Sequence, residues 1–327
     1  MENFSFINPN NNDKLSYLRG IDLQELIVEV ENYYLEYRDT LNFPSFVTFG
    51  TEIEYEEVPR LEVDRFVREK LKDWNSFGDA SLTHGGEVTS PVMHDELSRW
   101  KELQVMCKFL NEKKAIMFRN AGGHIHIGAH VLGNDISAWK RFFKTYAAYE
   151  SVIFRFAYGD KVCARKRLFE YAYPISDEIY NNIESISEIK KVRELPESFD
   201  VTKYKAVNFS NVVFEDIKND KLKNTIEFRM PNATYVEVIW QNNINAFCKF
   251  MLACKNGLID EEMVDYKFNY ERISPESDYS LYNVINLRNV LEFVDLIFDN
   301  NLDKVYFLRQ YLKGFQEKGV EAKRFVR

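Results

Sequence analysis

Three short stretches of this chain alternate charged or polar side chains with apolar ones, in step: Glu52-Ile53-Glu54, His124-Ile125-His126 and Glu227-Phe228-Arg229. A β-strand sends every second side chain to the same face, so each triplet points two polar groups one way and one apolar group inward. Set side by side in one sheet, the triplets would form a floor of carboxylates, imidazoles and one guanidinium over an apolar core. Carboxylates two residues apart on a strand sit about 6–7 Å from each other and repel unless cations lie between them. The pattern therefore points to a site for a divalent metal and phosphate.

Composition bounds the classes open to such a sheet. The chain has 327 residues, enough for one large domain or two ordinary ones, and 45% hydrophobic content supplies a substantial core. The formal charge of −8 speaks against general nucleic-acid binding, which needs a basic balance. Cys107, Cys163, Cys248 and Cys254 form no CxxC pair; with no signal peptide they read as reduced thiols of a cytoplasmic protein. The apolar runs fall far short of the roughly 20 residues that span a bilayer, so no membrane role is expected.

Three parts are read along the chain: a helical extension over 1–44, a core over 45–260 and a helical segment over 261–327 packed on that core. The Asn-rich stretch Asn8–Asn12 reads as frayed. A helix follows, with Asp22 and Glu25 as a capping box and Leu23, Leu26, Val30, Tyr33 and Tyr37 on one stripe. Further amphipathic helices are marked by Leu97, Trp100, Cys107 and Leu110, and by Trp139, Phe143, Tyr146, Ile153 and Phe156. Another opens on a Thr234-x-x-Glu237 box and buries Val236, Trp240, Phe247 and Met251, and two more flank the break at Asp299-Asn300-Asn301. Strands that alternate polar with apolar residues and are unevenly separated by helices suit an antiparallel sheet with one open face. The fold class expected is α+β.

Each candidate strand has an ordinary reading beside the functional one. In Phe49–Tyr55, the residues Phe49, Thr51, Ile53 and Tyr55 face the core, leaving Gly50, Glu52, Glu54 and Glu56 opposite. Alone this is a solvated edge, since Glu is nearly always exposed; read functionally, it aims hard oxygen ligands at Mg2+ or Mn2+. Gly85-Gly86 lets the backbone approach another group closely just ahead of Glu87, though a hairpin loop would look the same. His124, His126 and His130 are three of the five histidines, read on one strand face, where metal or phosphate binding competes with a structural role. His84 and His94 read as surface or structural. Glu227 and Arg229 share a face and would neutralise each other, or serve as a metal ligand and a permanent positive fork for a moving phosphoryl group.

Taken in order, FGTEIEYE, DASLTHGGEVTSP, GGHIHIGAH, KYKAVNF and TIEFRMPNAT resemble the amidoligase family, a branch of the carboxylate–amine ligases that includes glutamine synthetase and glutamate–cysteine ligase. The resemblance covers roughly residues 46 to 256. It implies a glutamine-synthetase-like catalytic domain, with a curved, largely antiparallel sheet and flanking helices. It further implies ATP and Mg2+ (or Mn2+) as cofactors and an amide bond formed through an acyl phosphate. By the same resemblance Glu54 and Glu87 would hold one metal ion, and Glu52, His124 and Glu227 a second. His126 would lie beside ATP, and Arg229 would stabilise the transferring γ-phosphate, with Glu227 in the catalytic set. Lys205 and Asn208 would be nucleotide- or substrate-side contacts, and Arg165 and Arg167 would grip the substrate carboxylate, although a solvated basic turn fits that cluster too. The partners implied are a carboxylate and an amine, small molecule or peptide, with a homo-oligomer open.

The sequence departs from the family pattern: only Glu87 stands out as an acid after the Glu52/Glu54 strand, where glutamine synthetase uses more than one. The N-terminal 44 residues and the C-terminal stretch fall outside the resemblance, and no segment identifies an amine acceptor. Rival readings are a guanidino-type phosphotransferase on the same sheet, a zinc hydrolase built on the His124/His126 pair, and a scaffold that binds nucleotide or peptide without turnover.

Overall fold

The structure is a computed structural model that describes residues 7–117, 119–158, 167–198, 202–218, 223–275 and 284–312. Its centre is a six-stranded sheet in the order β2-β3-β1-β4-β6-β5, with every neighbouring pair antiparallel. The strands are β1 (Phe49–Tyr55), β2 (Asn75–Phe77), β3 (Gly86–Thr89), β4 (Gly123–Gly128), β5 (Val207–Asn208) and β6 (Thr225–Phe228). The helices between and around them are α1 (Gly20–Asn32), α2 (Arg60–Lys70), α3 (Leu97–Glu112), α4 (Ile136–Tyr158), α5 (Leu168–Tyr171), α6 (Ser176–Asn181), α7 (Ile183–Glu188), α8 (Glu237–Asn256), α9 (Glu261–Tyr270), α10 (Val284–Ile297) and α11 (Asn301–Leu312). The α+β class expected from the sequence is what forms.

The alternation read in the strands decides which sheet face is covered. Ile53, Val88, Ile125, Ile127, Ile226 and Phe228 are fully buried, and helices lie on their side. The Phe228 ring stacks on Phe247 of α8 with centroids 4.2 Å apart, and meets Phe142 of α4 edge-on. Phe49 stacks on Trp100 of α3 at 5.0 Å. Fully burying a Phe or Ile contributes about 1.5–3 kcal/mol, so this face alone commits the sheet to its register. On the opposite face the same register sets Glu54 across from Glu87, Glu52 across from His124, and Glu227 between His126 and Asn208.

Two glycines permit close approach where side chains would not fit. A Cβ on Gly85 would lie 1.9 Å from the Tyr55 carbonyl oxygen, and one on Gly123 would lie 2.8 Å from both the Asn232 carbonyl oxygen and the Trp240 ring. The first clamps the loop before β3 onto the end of β1; the second lets β4 sit tight against the chain leading into α8.

Several local expectations are corrected. Asp22 does not cap α1, which starts two residues earlier and has Arg19 at its N-cap; Tyr33 and Tyr37 follow the helix rather than belong to it. Thr234 does not form a capping box with Glu237, because α8 begins at Glu237 itself; the Thr234 hydroxyl accepts from the Val236 N–H instead. Asn8–Asn12 is not frayed, for the Asn8 and Asn11 carbonyls accept from Asn301 at the start of α11. Leu97 is exposed while Trp100, Cys107 and Leu110 are buried. His130 lies beyond β4 in a single 3-10 turn, Ala129–Val131, where its Nε2 meets the Phe46 carbonyl at 2.7 Å. The break between α10 and α11 falls where Asp299-Asn300-Asn301 puts it. Among the described residues, no helix is long and apolar enough to cross a membrane, and Cys107, Cys248 and Cys254 are buried free thiols.

Candidate active site

The polar sheet face gathers two acidic trios. Glu52, His124 and Glu227 each offer a ligand atom within 4.8 Å of the others, and so do Glu54, Asp79 and Glu87. Glu52 and Glu54 share one strand face yet join different trios. Antiparallel pairing sets Glu52 against β4 and Glu54 against β3.

The first trio is densely partnered. His124 Nδ1 lies 3.2 Å from Glu52 Oε2 and 3.4 Å from Glu227 Oε1, and His126 Nε2 lies 2.8 Å from Glu52 Oε1. Arg229 pairs through Nη1 with Glu227 Oε1 and donates from Nε to the Tyr171 carbonyl at 3.1 Å. Asn208 donates to the other Glu227 oxygen at 2.6 Å. Burial alone would raise the pKa of Glu52, but hydrogen bonds and charge from His124 and His126 overcome it and hold the carboxyl well below its usual range. The carboxylate stays ionised.

The second trio is the opposite case. Glu54 accepts from the Gly122 N–H and lies 3.5 Å from His124 Nε2, and Asp79 accepts from Ser81. Among the described residues, no lysine or arginine forms an ion pair with Glu54, Asp79 or Glu87. Burial pushes the Glu87 carboxyl up to about 8, with Glu52, Glu54, Asp79 and Glu227 adding repulsion in that order. Three carboxylates converge here with no lysine or arginine paired to them among the described residues. An oxygen-rich donor set with one histidine fits a hard divalent ion such as Mg2+ or Mn2+ better than zinc, which takes histidine and cysteine more readily.

Two cavities open on the face. The smaller, about 410 Å3, is lined by Glu54, Asp79, His124, Arg167, Tyr171 and Arg229 among others. The larger, about 1050 Å3, runs from Glu52, Glu87 and His126 outward past Phe46, Pro91 and Val92, with Lys218, Lys223 and Lys255 around it. Both trios reach both spaces: Glu54, Asp79 and His124 line the smaller, Glu52 and Glu87 the larger.

Of the residues singled out from sequence, Glu52, Glu54, Glu87, His124, His126, Glu227 and Arg229 come together on this face. Asn208 joins them from β5 as a support for Glu227. Arg167 lines the smaller cavity, exposed, paired with Glu170 and 4.8 Å over the Tyr171 ring. Lys205 does not join them: it is buried, pairs with Glu178 of α6 and lines neither cavity. Its neighbours Lys203 and Tyr204 face the smaller cavity instead. Arg165 lies outside the described residues.

Asp79 was missed by the sequence reading, and it supplies the second acid after the Glu52/Glu54 strand. Its signal was present as an acid on the far side of the same Ser/Thr/Gly-rich loop that leads to Glu87. Asn120 and Ser81 also line the smaller cavity; no periodicity marks them, since loops bring them in. His94, read as a surface histidine, is exposed on the wall of the larger one.

The model of a family described as "Putative amidoligase enzyme" matches residues 46–251, well over half of the chain. No curated protein matches it.

Proposed function

This chain belongs to the amidoligase family, and on that premise we propose that it is an ATP- and Mg2+-dependent carboxylate–amine ligase on a glutamine-synthetase-like sheet. The observation that carries the reading is the pair of acidic trios on one sheet face with Arg229 beside them. A carboxylate is a poor acyl donor and needs activation. Its oxygen attacks the γ-phosphorus of ATP, the bond to the bridging oxygen breaks, and ADP leaves with an acyl phosphate formed. The amine nitrogen then attacks the acyl carbon, phosphate departs with the bonding electrons, and the nitrogen gives up a proton. Such transfers need positioning and charge neutralisation more than covalent help from the protein.

Glu54, Asp79 and Glu87 would hold one divalent ion, and Glu52, His124 and Glu227 a second. Bound Mg2+ supplies positive charge to phosphate oxygens as charge moves between them. Arg229 is the protein's own fixed positive fork, oriented by the Tyr171 carbonyl and Glu227. His126, anchored through Nδ1 to Thr225 Oγ1 at 3.0 Å, faces the larger cavity. That cavity's size, apolar wall and three lysines suit a nucleotide; the smaller one, with Arg167, Lys203 and Arg229, suits the acid. Asn208 acts through Glu227 rather than on substrate.

The test is ADP release from ATP, with and without Mg2+, when pooled acids are presented together with amino acids, polyamines and ammonia, with products weighed. Mg2+-dependent ADP release and a product one water lighter than an acid–amine pair is the expected result. Phosphoryl transfer to an acceptor with no amide would replace this reading by the phosphotransferase one.

A further inference from the structure

Glu56 is the acid of the first strand segment that neither trio uses. It follows β1 directly, and its side chain is entirely buried. Every partner it has there is a donor. Oε1 accepts from the Thr83 N–H at 3.0 Å and from Asn120 Nδ2 at 2.9 Å, while Oε2 accepts from the Asn120 N–H at 3.3 Å. Backbone bonds frame this arrangement. Glu56 and Ile116 exchange both N–H bonds at 3.0 Å, and the Glu57 N–H donates to the Thr83 carbonyl.

One carboxylate thus ties two loops to the end of β1, and both loops lead into the smaller cavity. The first holds Asp79, folded by Ser81 donating to Asp79 Oδ1 from both N–H and hydroxyl, and closed by Gly85 against Tyr55. The second holds Asn120 and returns through Gly122, whose N–H donates to Glu54. Asp79 is the one member of its trio that no strand places. Its position depends on the loop, and the loop's inner end is held by Glu56.

We propose that Glu56 is a positioning residue that sets the divalent-cation affinity of the Glu54–Asp79–Glu87 trio by fixing the Asp79 and Asn120 loops. This rests on the reading of that trio as a cation site. The acceptor-only chemistry of a carboxylate is the requirement. A glutamine in its place turns an amide N–H2 toward one of three N–H donors, so at least one donor loses its acceptor while shape and volume are kept. Groups that orient metal ligands at one remove typically alter affinity 10- to 100-fold when changed.

The experiment titrates Mn2+ alone into the full chain, reading bound metal by electron paramagnetic resonance, for wild type, Glu56→Gln, Asp79→Asn and the double variant. Glu56→Gln is expected to weaken one Mn2+ site about 10-fold while keeping its far-ultraviolet circular dichroism. Because it acts through Asp79, it should add little to the loss in Asp79→Asn. An unchanged titration, or losses that add in full, overturns the proposal. Amide hydrogen exchange supplies a readout independent of metal: exchange at Thr83 and Asn120 should quicken in Glu56→Gln, and unchanged exchange overturns the clamp. Should wild type bind no Mn2+, the cation reading fails while the exchange result still decides whether Glu56 holds the loops. If Glu56→Gln does not fold, Asn120→Ala removes a single donor from the clamp, and faster exchange at Thr83 is again the expected sign.

Discussion

The two acidic trios lie side by side, yet the protein treats them in opposite ways. Around Glu52, His124 and Glu227 it supplies Arg229, Asn208 and His126, so both carboxylates already have ionic or hydrogen-bonding partners. Around Glu54, Asp79 and Glu87 it supplies one imidazole contact and a few N–H and hydroxyl donors, and burial with mutual repulsion lifts Glu87 to about 8. A partnered cluster is held in place by the protein's own groups; one without such partners stores repulsion that a cation would relieve. The contrast assigns different work to groups that a sequence reading treats alike.

The sharpest way to break the contrast is Arg229→Ala. We expect turnover to fall about 10^2–10^3-fold, the range for loss of one preorganised charge contact, with circular dichroism retained at assay temperature. Activity close to wild type would remove Arg229 from the mechanism. Glu227→Ala comes next. It takes the carboxylate away from Arg229, Asn208 and His124, so denaturant melts of the metal-free protein should show a loss of about 3 kcal/mol. Unchanged stability would mean that these partners do not hold Glu227 in solution.

Glu87→Gln should have the opposite sign, raising the melting temperature of the metal-free protein while abolishing the rise that Mg2+ gives to wild type. A destabilised variant would contradict the stored repulsion. The pH dependence follows from the same group. Its folded pKa is raised above the unfolded value, so between the ordinary carboxylate range and about pH 8 the folded state holds a proton that the unfolded chain has lost. Metal-free stability should therefore fall as pH rises through that window, and the upward shift in melting temperature on adding Mg2+ should grow. Calorimetry at pH 7 in buffers of different ionisation enthalpy should find a proton released per Mg2+ at this site. A shift independent of pH, or a slope that survives in Glu87→Gln, would assign the titration elsewhere. The smallest effect is that of Lys223→Ala: Lys223 is largely exposed and 3.9 Å from Glu52. Stability should change by about 0.5 kcal/mol or less, with ATP binding weakened only modestly.

Much of the fold was legible because alternation is local. Phe49, Thr51, Ile53 and Tyr55 are buried as period two requires, whereas α8 and the second half of α4 are buried on nearly every side and not only along the stripe their spacing marks. Helix starts were read less well. Asp22-x-x-Glu25 and Thr234-x-x-Glu237 have the residues of a capping box, but capping depends on backbone geometry, and tertiary packing begins α1 and α8 elsewhere. Lys205 and Lys203 show the same limit at the site. The sequence singles out Lys205, while the chain's path buries it against Glu178 and turns Lys203 to the cavity.

By itself the sequence determined that Glu52, Glu54, His124, His126, Glu227 and Arg229 stand on the polar side of a sheet, since side-chain alternation belongs to every strand and needs no partner. Only the tertiary structure decided how these acids come within reach of one another, in the grouping that the family resemblance implied with Asp79 added. Register placed Glu54 against Glu87 and Glu52 against His124. A loop brought in Asp79, and Glu56, two residues from a ligand position, was turned to hold that loop. Those are contacts between residues far apart in the chain, and no local pattern encodes them.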